Sequence, residues 1–222
     1  KLLFVKRDIY QSSHFYTDFI DGCRYFGGNI CVLDVKSGTV REVVPSMREG
    51  IFDRYDLSFD GKRIVFGWKR KLGEGFRIYE VGVDGEGLRQ LTFPPANEQQ
   101  LIERYDNSGE ARTVERYFHH TDDMHPCYLP DGGICFVSTR CQYDILCDGG
   151  YLTTAVLYRI DGDGQNMEKL TNSSVSEFSP SMMPDGRILY TRWEYVDKGS
   201  LCVKALWAIR PDGTGSTEIF GN

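Results

Sequence analysis

The residues best suited to chemistry lie together in FHHTDDMHPCYLPDG, residues 118–132, where His119, His120, Asp122, Asp123, His125 and Cys127 fall within nine positions. Imidazole, carboxylate and thiolate are the ligand set of zinc and of several other transition metals. The candidate metal ligands are therefore Cys127, His125, Asp123, His120 and His119, and zinc is the candidate cofactor. The spacing matches no zinc finger, so two readings stay open. Either a metal is bound, or Cys127 is a small buried thiol and the histidines solvate a loop.

Other chemistry is sparse. The chain has no GxSxG, no phosphate-cradling glycine loop and no carboxylate pair that stands out from turn chemistry. There is no CxxC and no CxxCH, so no covalent c-type haem is attached within these residues. Seven cysteines, Cys23, Cys31, Cys127, Cys135, Cys141, Cys147 and Cys202, cannot all pair. Cys31 and Cys135 sit in apolar runs and read as buried thiols. Cys141 and Cys147 flank a short loop that a disulfide can close, which would imply an oxidising compartment. His14 lies in a connection between strands, where a histidine is more often structural or idle. Asn172-Ser173-Ser174 fits a glycosylation sequon, a pattern common by chance.

The elements that must position these residues show themselves as repeats. One motif reads DLSFDGKRIVFGW from Asp56, CYLPDGGICFVST from Cys127 and SMMPDGRILYTRW from Ser181, each a turn on Asp-Gly followed by an alternating strand. A second reads ICVLDVKSG from Ile30, IYEVGVDGEG from Ile78, LYRIDGDGQN from Leu157 and LWAIRPDGTG from Leu206. Leu-Thr follows at Leu91-Thr92 and Leu170-Thr171. Each glycine turn supplies the positive φ of a tight hairpin, so two corners per repeat make a four-stranded unit. Such a unit of about 50 residues is the signature of a β-propeller blade. A β-sandwich would fit the turns but not the verbatim recurrence.

The expected architecture is all-β: a propeller of four-stranded antiparallel blades over residues 1–222, with four blades visible. They fall at about 1–45, which begins at its second strand, then 50–93, 123–172 and 175–220. Because blades bury their faces only on neighbours, the four read as part of a larger ring or a longer polypeptide. Inserts at 94–122, with a short helix after Pro95, and at 140–156 interrupt the spacing and are expected to carry function. The inner strand of each blade should bring His125 and Cys127, Arg54 and Asp56, and Ser179 and Ser181 to one face that lines the central channel.

The repeated PDG, the strand LY-x-x-D-x-D-G and the Leu-Thr resemble the propeller of TolB-type periplasmic proteins. YFHHTDDMHPCYLPDGGICFVSTRCQ, SEFSPSMMPDGRILYTRWEYVDKG and LWAIRPDGTGSTEIFGN resemble the propeller part of proteins related to the hydrazine synthase alpha subunit. The resemblance implies a periplasmic or secreted bacterial protein whose partner is another domain or subunit, such as a c-type haem domain. It also implies a zinc held near a haem by a propeller cysteine, which maps onto Cys127 with His125 and Asp123 beside it. Because the haem-attachment motif is missing here, hydrazine formation does not carry over to this chain. The expected role is a scaffold and binding module. The alternatives are a metal-dependent or haem-assisted redox domain and, more remotely, a sugar lyase with channel-facing histidines, for which no base or basic groove is evident.

Composition excludes some classes. With 41% hydrophobic and 13% aromatic residues, the chain can bury a core without staples. A net charge of -6 and the absence of a basic stripe argue against nucleic acid. No apolar run approaches the roughly 20 residues of a membrane helix, and the start KLLFVKRDIY lacks the apolar stretch of a signal peptide.

Overall fold

A computed structural model describes residues 1–8, 26–71, 73–103, 120–146, 153–194 and 204–221. These residues form four antiparallel sheets in chain order. The first has three strands, β1 (Leu2–Arg7), β2 (Gly28–Leu33) and β3 (Val40–Glu42). The second has four, β4 (Ile51–Leu57), β5 (Arg63–Lys69), β6 (Arg77–Gly82) and β7 (Arg89–Gln90). The third follows with β8 (Asp123–Tyr128), β9 (Ile134–Ser138), β10 (Val156–Ile160) and β11 (Glu168–Lys169). The fourth is β12 (Glu177–Met182), β13 (Ile188–Trp193), β14 (Lys204–Ile209) and β15 (Thr217–Phe220). A short α-helix, α1 (Glu98–Ile102), follows Pro95, where the sequence places a helix start. Among the described residues no helix is long and apolar enough to cross a membrane.

Strand alternation assembles the blades. In β5, Ile64 and Phe66 face a cluster with Ile30, Val43 and Phe52 of the first two blades, while Val65 faces one with Tyr128, Phe136 and Tyr158 of the third. In β9, Ile134 and Phe136 face the second blade, and Cys135 and Val137 face Ile188, Tyr190 and Trp193 of the fourth. Both faces of these strands are therefore apolar, and each fully buried large side chain contributes about 1.5–3 kcal/mol.

The glycine turns do more than reverse the chain. Gly164 has φ +87°, and a Cβ there would lie 2.7 Å from the Leu91 carbonyl oxygen of the preceding blade. Gly85 repeats this one seam earlier, at 2.8 Å from the Val43 carbonyl. Arginines tie these seams and the next: Arg41 Nη2 donates to the Val83 carbonyl at 2.6 Å, Arg89 Nη2 to Gly162 at 2.6 Å and Arg159 Nη1 to Pro211 at 3.3 Å. The repeating turn is thus also a repeating dock between blades.

Candidate functional site

The inner strands β4, β8 and β12 share one irregularity. Each sets two residues against one on its neighbour: Asp53 and Arg54 against Gly67, His125 and Pro126 against Phe136, and Ser179 and Pro180 against Tyr190. A bulge of this kind releases backbone groups from the ladder and re-aims side chains. Proline suits its second position, since it has no N–H to leave unsatisfied. His125 and Ser179 sit at φ 52° and 55°, a conformation that costs a non-glycine residue about 1–3 kcal/mol and needs fixed neighbours.

Those neighbours come from the adjacent blades. Asp53 Oδ2 accepts the His125 backbone N–H at 2.7 Å, and its Oδ1 lies 3.3 Å from His125 Nε2. His125 Nδ1 in turn accepts the Ser179 backbone N–H at 3.2 Å. The network therefore puts the imidazole proton on Nε2, facing Asp53. Burial works to raise the Asp53 pKa, but His125 and the backbone N–H donors hold it below the usual carboxylate value. Asp56 adds a second bond across the seam, accepting the Tyr128 N–H at 2.9 Å. Asp53, His125 and Ser179 name the residue types of a hydrolytic triad, yet the imidazole engages the serine through its backbone amide. The array is a clasp between three blades rather than an activated nucleophile.

Over the clasp lies a cleft of about 620 Å³. Val5, Arg7 and Asp8 wall one side, and residues 53–56, 125–127 and 179–181 of the three inner strands form the rest. Arg7, Asp8, Arg54 and Ser181 are exposed, whereas Asp53, His125 and Cys127 are buried beneath them. The cleft therefore offers mixed charge on a rigid base.

The ligands expected from sequence separate here. His125 and Cys127 line the cleft, but His125 is held by Asp53 and Ser179. The Cys127 thiol pairs with Cys135, and this hydrogen bond together with burial pushes its pKa well up. Asp123 is committed to Arg140, at 2.6 Å from Nη2 and 2.8 Å from Nε, and to the Ser138 hydroxyl at 2.7 Å. His120 lies in a separate cleft of about 460 Å³ with Trp68, Tyr79, Arg77 and Glu98, and its Nε2 is 3.3 Å from Asp122 Oδ1. His119 lies outside the described residues, as do His14, Cys23, Cys147 and Cys202. Among the described residues no three His, Cys, Asp or Glu side chains converge, so His120, Asp123, His125 and Cys127 do not form one coordination sphere.

Two further differences are physical. His125 and Cys127 straddle a bulge, so the alternation of an even strand does not apply between them. Counting back from the Asp-Gly hairpin aligns Arg54 with His125, but β4 pairs three residues between bulge and hairpin where β8 pairs two. The bulge places Asp53 at that position, and sequence reading passed it over. The two prolines, each following a polar residue, were the available signal.

No family model matches the chain. Among solved structures, a TolB protein from Agrobacterium tumefaciens superposes with a TM-score of 0.60 at 18% identity, over 91% of this chain and 60% of that one. The chain has a β-propeller fold like that of TolB. Hydrazine synthase from Kuenenia stuttgartiensis gives a TM-score of 0.66 at 19% identity, over 99% of this chain and 31% of that one. In sequence, hydrazine synthase subunit alpha from the same organism is 28% identical over 60% of this chain, a match that spans 19% of that protein. An oligogalacturonate lyase in complex with manganese shares the fold, with a TM-score of 0.53 at 16% identity over 87% of this chain and 48% of that one.

Proposed function

We propose that this propeller is a scaffold and binding module of an exported bacterial protein, and that another domain or subunit seats on the cleft over the inner strands. The observation that carries this reading is the arrangement of exposed Arg7, Asp8, Arg54 and Ser181 around a base locked by the Asp53–His125–Ser179 clasp. A preorganised base under a polar rim is what a specific interface needs. Export is supported by the resemblance to TolB-type periplasmic proteins, and a partner by similarity to one fifth of a larger protein.

The test is a photo-reactive side chain placed at position 54 or 181 in the protein as its host makes it. Cross-links should map to one domain or subunit outside residues 1–222, and a probe at exposed Phe59 should give none. Equal labelling at both places would refute the reading.

The second reading, a metal-dependent or haem-assisted redox domain, rests on Cys127 facing the cleft and on the similarity to hydrazine synthase subunit alpha. A metal at Cys127 would draw its remaining ligands from another domain, because among the described residues no group of three His, Cys, Asp or Glu side chains could hold one.

A further inference from the structure

We propose that Cys127 and Cys135 are a redox-active dithiol that closes into a cross-strand disulfide, so that their oxidation state decides whether the cleft presents a thiol. The two are direct partners in the β8–β9 register. Directly opposed residues of an antiparallel pair have Cα atoms about 4.5–5.5 Å apart, inside the roughly 4.4–6.8 Å that a disulfide spans. Both side chains join the same buried cluster, and Cys135 is the neighbour that, together with burial, raises the Cys127 pKa. The other described cysteines differ: Cys31 Sγ donates to the Asn29 carbonyl and Cys141 Sγ to the Thr154 carbonyl.

Access is one-sided. Cys127 lines the cleft and Cys135 is wholly buried behind it. An external disulfide, small or protein-borne, therefore meets Cys127 first. The Cys127 thiolate attacks one sulfur of the oxidant R–S–S–R and expels R–S⁻, giving a mixed disulfide; Cys135 then attacks Cys127 Sγ and expels the second R–S⁻. The two thiols lose two electrons and two protons, and the oxidant leaves as two R–SH. Burial disfavours the thiolate, so exchange is slow in both directions and the bond persists once made. Oxidation also removes Cys127 as a metal ligand, because a disulfide sulfur is no thiolate.

The sequence makes the test direct. Trypsin cuts after Arg116 and Arg140 and nowhere between, so Cys127 and Cys135 share one peptide, residues 117–140. The folded protein is incubated with oxidised glutathione, unfolded, alkylated, digested and weighed. The inference expects this peptide unalkylated and lighter by two hydrogens than the dithiol form, and doubly alkylated after reduction with dithiothreitol. In Cys135→Ser the peptide should instead carry glutathione or a single alkyl group. A wild-type peptide that takes two alkyl groups after oxidation, or that is joined to glutathione or to another peptide, would overturn it.

Discussion

At the scale of single residues, the clasp makes His125 a structural hinge between blades. Removing its ring leaves the buried Asp53 carboxylate without Nε2–H and strips the Ser179 N–H of its acceptor. His125→Ala is therefore expected to cost about 2–4 kcal/mol in urea unfolding, since a buried carboxylate loses one donor and the Ser179 N–H loses its acceptor. A loss below about 0.5 kcal/mol, the range of ordinary surface substitutions, would show that the clasp holds nothing. Glu177 offers a second test, in pH. It is buried, with Oε2 accepting the Leu157 N–H at 3.0 Å and the Thr171 hydroxyl. Burial raises its pKa from 4.5 to about 7, against the lowering effect of those donors and Arg192. Between these values the unfolded chain sheds the proton while the folded one keeps it, so this residue's contribution to stability falls as pH rises and levels off above the folded pKa. Glu177→Gln removes that slope. The stability difference between variant and wild type should shift in favour of the variant, by on the order of 3 kcal/mol, as pH rises through this window. A constant difference would place Glu177 in an ordinary carboxylate environment.

At the scale of elements, the glycines of the two hairpin motifs have different roles. Gly132 has φ +88° with nothing within 4 Å of a Cβ, whereas Gly164 has φ +87° and the Leu91 carbonyl in the way. Alanine at either position meets the same backbone strain, about 1 kcal/mol or more, but only Gly164→Ala must also push neighbouring blades apart. Its thermal midpoint should fall further than that of Gly132→Ala, and equal drops would mean that the turn does not dock. The blades were legible because Asp-Gly recurs at fixed offsets from apolar runs, and the short helix because Pro95 marks its start. Apart from Pro126 and Pro180 the bulges left little trace: two residues against one leave the composition of a strand unchanged and only shift its phase. Pro126 also misleads, because a residue before proline ordinarily avoids the conformation that His125 adopts. Without the bulge, Asp53 reads as one acidic residue among many.

At the scale of the whole molecule, the seams couple the inner strands so closely that site and scaffold are the same residues. The histidines and carboxylates that looked like ligands in sequence are engaged in joining strands: Asp123 to Arg140, His125 to Asp53, and Asp122, whose Oδ1 accepts the Phe76 N–H at 2.8 Å. Nearness in sequence gathered them on β8 and just before it, but neighbouring residues of a strand point to different faces and so to different partners. A metal would have to compete with those bonds and deprotonate a thiol that its Cys135 neighbour and burial hold protonated. The purified chain, reduced and dialysed against zinc near neutral pH, is therefore expected to retain well under one equivalent by elemental analysis, with no change in Cys127→Ser. One equivalent in the wild type, lost in the variant and weakening as pH falls, would mean that the seam opens to admit the ion. It would also favour the redox reading over the binding module.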